Sequence, residues 1–334
     1  MRGLTGRVEG ESVIAIEEGM EVKGERSVEV RVPASTSNLG AGFDCFGLAL
    51  RLYLTVRARA VPSSHAACRV RSIRISGDAE RAVELPSTED NLILRAMRYA
   101  AEREGLSLPR VRLAVHNELP MGRGLGSSAA AILAGLTLCS LLCERELALE
   151  TVLRYAFEME GHADNVAAQL YGGLVVSCVT EDGGIVAVKR RWPQDLKVIV
   201  VSPDVSLKTV ESRAALPRTV SHDDAVYNLQ RAALFGAALE AGAYDLLREA
   251  MRDRLHQSHR QSLVKGLSDA LATPPRAGLV GLALSGSGPS VVALARDNFQ
   301  EIGEGIAASF RRQDVAATVR LLEVDNEGIR SGRL

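Results

Sequence analysis

Residues 120–136, PMGRGLGSSAAAILAGL, run a glycine-rich loop straight into an apolar helix. Gly122, Gly124 and Gly126 carry no Cβ, so the main chain there can turn tightly and bring its N–H groups against a bound anion. Ser127 and Ser128 follow at the helix start, where the first amides have no intrahelical partner and the helix dipole favours negative charge. The segment reads as a helix over 127–142 with a phosphate cradle in front of it. Two other phosphate loops are excluded by spacing. A dinucleotide fingerprint needs a third glycine where Ser127 stands, and a Walker loop needs a Lys after Gly126, whereas Arg123 is the only cation in the loop. A lone loop of this type also serves as a plain turn capping a core helix, so other segments must decide.

The rest of the chain mixes strands and helices without a regular alternation. Val28, Val30 and Val32 alternate with Glu29 and Arg31, and Pro33 is expected to close that strand. Further strands are predicted from Leu48 through 61, over 69–76 and 111–120, in a buried run GGLVVSCV, from Lys197, either side of a loop in LSGSGPSVVAL, and over 316–324. Helical spacing predicts helices over 87–104, with a Ser or Thr N-cap, then 127–142, 147–160, 221–241, 243–256, 261–272 and 297–312. This pattern favours the α+β class over a doubly wound sheet. At 334 residues two cores are expected, and the Gly-, Pro- and charge-rich stretch 182–195 places the boundary near 192. The expected parts are an N-terminal extension over 1–26, a domain over 27–192 and a second over 193–334.

Bulk composition excludes partners more than it names them. A formal charge of −1 with 46% hydrophobic residues leaves no basic tail for nucleic acid and no membrane-seeking segment. Residues 127–143 carry no charge, but Ser127, Ser128, Gly135, Thr137 and Ser140 interrupt a run already short for a membrane span. Cys45, Cys68, Cys139, Cys143 and Cys178 are odd in number, lack metal-ligand spacing and read as reduced thiols. Residues 1–10 are neither strongly basic nor followed by a signal-peptide core, so a cytoplasmic location is expected.

Two further small-residue loops flank the first. PASTSNLGAGFDCFGLAL, residues 33–50, packs Asn38, Gly40, Gly42 and Asp44 into one turn, and LSGSGPSVVAL, residues 284–294, carries Gly286 and Gly288 between two apolar strands. In EMEGHADNVAAQLYGG, residues 158–173, Glu160, His162, Asp164 and Asn165 stand at a helix end and in the loop beyond it, as a polar site or as a capped surface loop.

At its three glycine loops the sequence resembles the GHMP small-molecule kinases, most closely those acting on L-homoserine, and the similarity runs from residue 27 to about 325. The resemblance implies a two-domain GHMP kinase fold, with an N-terminal domain like domain 2 of ribosomal protein S5 and a ferredoxin-like C-terminal domain. It implies ATP and Mg²⁺, phosphorylation of the L-homoserine side-chain hydroxyl on the way to threonine, and a homodimer. ATP would be held by Pro120, Met121, Gly122, Arg123, Gly124, Leu125, Gly126, Ser127, Ser128, Ala129 and Ala130. Asn91 matches a position near the adenine, though an Asn at a helix start also serves as a cap. The metal ligands implied are Ser127 and Glu160, with Glu158 as the substitute.

Phosphoryl transfer asks mainly for positioning and charge neutralisation, so a base is optional. Asn165 is given the orienting role, with Asp164 as candidate base. A small amino acid needs a cation for its carboxylate and an anion for its ammonium. Arg213 and Arg260 match the family's carboxylate-binding arginines; Asn38 and Asp44 match the grip on the amino group, with His162, Gly286 and Gly288 beside the substrate. HQSHR, residues 256–260, departs from the HxPxR form common in relatives. Other readings are the same fold acting on shikimate, mevalonate or another alcohol, and a non-catalytic nucleotide-binding regulator. A dinucleotide oxidoreductase fits the loop spacing worst.

Overall fold

The computed structural model describes residues 26–61, 70–77 and 90–334. The expected Ser or Thr cap before residue 89, Cys68 and most of the N-terminal extension lie outside the described residues. The first sheet collects β1 (Ser27–Ser37), β2 (Phe46–Val61), β3 (Val70–Gly77), β4 (Arg110–Asn117), β5 (Leu174–Val179), β6 (Ile185–Arg190) and β11 (Arg330–Arg333). Its order is β11-β1-β2-β4-β3, while β5 pairs with the Phe46–Leu48 end of β2 and carries β6. Among the described strands only β3 and β4 run parallel, with α1 (Leu92–Glu104) between them in the chain.

Helix α2 (Ser127–Leu142) has no charged residue, so it has no face to give to water and lies in the centre, against α1 and β1, with α3 (Leu149–Glu160) and α4 (Asp164–Tyr171) beside it. The second sheet has β7 (Lys197–Pro203), β8 (Leu279–Leu284), β9 (Val291–Ala295) and β10 (Ala317–Leu322) in the antiparallel order β10-β7-β9-β8. With α10 (Phe299–Arg311) leading into β10, its β-α-β-β-α-β course is the ferredoxin-like one. The largest core cluster runs through both halves, and the rings of Phe46 and Phe235 lie 5.2 Å apart across it.

Several elements depart from the sequence pattern for identifiable reasons. Pro33 does not close β1; lacking an N–H it breaks the ladder, the register shifts between Pro33 and Ala34, and the strand continues to Ser37. Helix α1 starts at Leu92, and Asn91 is its N-cap, its side chain accepting from Ile93 N at 3.0 Å. Within 182–195, residues 185–190 form β6, hairpin-paired to β5, and β5 is buried on one face only, leaving Val176 and Val179 exposed.

The helices expected over 243–256 and 261–272 are broken into α7 (Leu247–Ala250), α8 (Gln257–Arg260), α9 (Leu267–Leu271) and short 3₁₀ turns. The Asp253 carboxylate takes the N–H groups of Leu255, His256 and Gln257, which a continuous helix would need for its own ladder. Strand β11 has no apolar residue to announce it and returns the chain to the first sheet against β1.

Candidate active site

The 38–45 turn after β1, the loop entering α2, the α3–α4 junction and the loop after β8 meet in one cavity of about 110 Å³, closed on the second-sheet side by Arg213, in α5 (Thr209–Ala214), and Arg260, in α8. Gly122, Gly124 and Gly126 all adopt positive φ, at 65°, 73° and 72°. Gly126 is the N-cap of α2 and offers no side chain, so the first amides of a central helix are left without a cap. The loops are stacked on one another: Ser285 Oγ donates to Gly124 O at 2.7 Å, and Ser35 N donates to Leu125 O at 3.2 Å.

A Cβ on Gly124 would overlap the carbonyl of Ser285 and approach Gly288 O to 2.9 Å, in a left-handed backbone. Gly124→Ala is therefore expected to destabilise the protein by roughly 2–4 kcal/mol through strain plus overlap. Thermal melting checks this, and an unchanged Tm would mean the loops are not in contact.

Ser128 Oγ, not Ser127 Oγ, donates to Glu160 Oε2, at 2.7 Å, while Ser127 Oγ donates to Pro120 O at 3.3 Å. Glu158 is occupied on the outer face by Arg103 and Tyr99. Arg123 is tied to Asp204 at 2.8 Å, so its charge joins the loop to the second half of the chain. Met121 is half-buried at the loop entry, and Ala129 and Ala130 are buried beneath it. Asn91, capping α1, is not part of the cavity wall, and neither is Gly288, which packs the third loop against Gly124 and Leu284.

Asp164 and Asn165 open α4 rather than lying in a loop, which turns both side chains back into the sheet. Asp164 Oδ1 accepts from His162 Nδ1 at 2.9 Å, from Asn165 N at 2.7 Å and from Asn165 Nδ2 at 3.1 Å. Asn165 also donates to Ser37 Oγ at 3.0 Å and accepts from Ser35 Oγ at 2.8 Å. Gln169, one turn on, donates to Ser35 Oγ and to Gly126 O, so the same network holds the phosphate loop. Ser35, Ser37 and Gln169 were not singled out in the sequence, although Gln169 stands four residues after Asn165 on one helix face.

Burial alone would raise the Asp164 pKa, yet the hydrogen bond and charge of His162 with the Asn165 N–H hold it below its usual value. Burial would lower His162, but Asp164 and then Glu160 outweigh it and raise its pKa. The carboxylate thus stabilises the fold above its ordinary pKa of 3.8 and loses that effect as pH falls through the lower folded value. The imidazolium stabilises below 6.5 and loses its effect as pH rises through the higher folded value. The Tm difference between the protein and His162→Gln is expected to shrink from about pH 6 to about pH 9, read by thermal melts at constant ionic strength. A difference constant over that range would exclude the ion pair.

On the opposite wall, Arg213 grips Asp44 bidentately, Nη1–Oδ2 at 3.0 Å and Nη2–Oδ1 at 2.7 Å. Asn38 accepts from Asp44 N at 3.0 Å and donates to Gly286 O at 2.9 Å, which sets the turn. Arg260 is buried, and desolvation, then the charge of Arg213, lowers its pKa to about 10, so it stays charged at neutral pH. Its Nη1 donates to Gly286 O at 3.2 Å and to His256 Nδ1 at 3.1 Å. His256 Nε2 donates to Gly40 O at 2.9 Å, the tautomer that leaves Nδ1 as acceptor, and burial lowers its pKa. Phe43 stacks on His256 and lies under both arginines, a contact the sequence did not announce.

The pattern described as GHMP kinases N terminal domain matches residues 91–173, and that described as GHMP kinases C terminal matches residues 236–312. The chain is 39% identical to a homoserine kinase of Desulfitobacterium hafniense, over 90% of this chain and 98% of that one. It is 44% identical to a homoserine kinase of Deinococcus radiodurans, over 80% of this chain and 84% of that one. Among solved structures, the homoserine kinase of Cytophaga hutchinsonii superposes with a TM-score of 0.80 at 27% identity, covering 94% of this chain and all of the other. A glycine loop opening an uncapped central helix, two sheets closing on one cavity and near-complete alignment with such relatives lead to one conclusion: the chain belongs to the GHMP kinases.

Proposed function

We propose that this chain transfers the γ-phosphoryl group of ATP to the side-chain hydroxyl of L-homoserine, forming O-phospho-L-homoserine and ADP. The observation that carries this reading is the Arg213–Asp44 pair, which faces the uncapped start of α2 across one small cavity. An amino acid offers a carboxylate and an ammonium that can replace the two halves of that pair, and relatives 39% and 44% identical carry the matching name.

The loop amides of residues 122–128 and the α2 terminus would receive the phosphates. Ser128 and Glu160 would hold magnesium; two adjacent oxygen ligands suit an ion that arrives with nucleotide and keeps several waters. Among the described residues no group of three or more acidic, His or Cys side chains forms a protein-only cage. When bound, the ion neutralises charge on the transferring phosphoryl group.

Asn165 orients the acceptor hydroxyl, whose oxygen would form the new P–O bond as the bond from phosphorus to the ADP oxygen breaks, the hydroxyl proton passing to an oxygen of the transferred phosphoryl group and on to solvent. Asp164 is 2% exposed, has three donors on one oxygen and a lowered pKa, which makes it a positioning group for His162 and Asn165 rather than a proton acceptor.

A coupled ADP-release assay with magnesium and ATP against L-homoserine, L-threonine, shikimate and mevalonate tests the reading. L-homoserine is expected to show the highest kcat/KM, and faster turnover of shikimate or mevalonate would overturn it.

A further inference from the structure

A second cleft, of about 450 Å³, opens behind the acceptor cavity. The two share a wall: Arg260 faces the first, whereas Gln257, Ser258 and Gln261 of the same segment face the second. Arg248 stands in this cleft in an unusual state. Its Nη2 donates to Thr273 O at 2.6 Å, but its Nη1 is buried and has no hydrogen-bond partner.

The neighbouring arginines are all paired. Arg252 meets Glu249 at 2.9 Å, Arg254 meets Asp224 at 3.3 Å, and Arg231 meets Glu249. Among the described residues no carboxylate lies within ion-pair distance of Arg248, and burial followed by the charge of Arg252 pulls its pKa down. A buried N–H on a charged group that has no acceptor is unfavourable unless a ligand or a small rearrangement supplies one.

We infer that this cleft is a second ligand site, which takes a small anion bearing a carboxylate or phosphate group, with Arg248 as its anchor. An oxygen of such an anion would accept from the Arg248 guanidinium, and the amides of Gln257 and Gln261 and the Ser258 hydroxyl supply further polar contacts. The cleft also touches the acceptor side. Asp253, which lines it, holds the N–H of His256, the partner of Arg260, and Gln257 accepts from Leu284 N at 2.6 Å, at the foot of the third glycine loop.

The test compares the protein with Arg248→Met in melts titrated with inorganic phosphate or malonate against chloride at equal ionic strength. Anions on the phosphate loop affect both proteins alike and drop out of the difference. The unaltered chain is expected to gain a saturable ~2–4 °C with at least one of the two anions. Arg248→Met gives up the Nη2 hydrogen bond to Thr273 O, so each protein is read against its own melt in chloride, and the variant is expected to lose most of that gain. Equal gains in the two proteins, or no gain beyond chloride in either, would overturn the inference. Crystals of the unaltered protein soaked in selenate give a second readout: a peak within hydrogen-bond distance of the Arg248 guanidinium is expected, and an empty cleft beside an occupied phosphate loop refutes the site.

Discussion

Glu160→Gln is expected to lower kcat by about 10²- to 10³-fold while leaving the fold intact, the effect of removing roughly 3–4 kcal/mol of charge stabilisation from the transition state. Glu160 ends α3, where the helix dipole is unfavourable to an anion, so its carboxylate is held by side chains: Ser128 Oγ at 2.7 Å and His162 Nε2 at 3.8 Å. The amide isostere keeps the Ser128 hydrogen bond and removes only the charge, so a fall in kcat reports on magnesium and phosphate rather than on packing. Raising magnesium should recover part of the loss. A kcat within about threefold of the unaltered protein would remove Glu160 from the metal. The two serines separate in the same assay: Ser128→Ala should be the more damaging, because Ser127 Oγ is turned to the Pro120 carbonyl.

The different contacts of the two serines show where the sequence stops being informative. The phosphate loop and α2 were legible because glycine and an uncharged apolar run each permit few structures, and the three loops were recognisable as a set. Which of two adjacent hydroxyls faces Glu160 depends on how α3 ends relative to α2, a tertiary relation that no spacing encodes. Asp44 and Arg213, 169 residues apart, likewise came to one site through family resemblance and not through periodicity, and their direct pairing was not announced at all. Local competition explains other misses: Asp253 diverts three backbone amides and breaks a helix that apolar spacing favours, and β11 pairs with β1 without an apolar side chain that marks a strand. Asn165 was legible as polar and close to His162, but Ser35 and Ser37, which fix its orientation, became visible only once β1 ran past Pro33.

Arg213→Ala is expected to raise the KM for L-homoserine by about 10²- to 10³-fold with less than about a tenfold change in kcat, since truncating one partner of a close charge pair costs about 2–5 kcal/mol. Without ligand, Arg213 and Asp44 satisfy each other through two hydrogen bonds, and each is about 37% exposed on its side chain. A zwitterion can part them at little net loss, because its carboxylate replaces Asp44 at the arginine and its ammonium replaces the arginine at Asp44. A compound with one charge parts them and leaves the other half alone, so 4-hydroxybutyrate and 3-aminopropan-1-ol should each bind the unaltered protein more weakly than L-homoserine by about 10²-fold or more. In Arg213→Ala the ranking shifts: Asp44 is unpaired and repels the L-homoserine carboxylate, so the amino alcohol should approach or overtake L-homoserine in kcat/KM. An unchanged KM for L-homoserine, or an unchanged ranking of the amino alcohol against it, would take the carboxylate away from Arg213 and leave Arg260 to hold it.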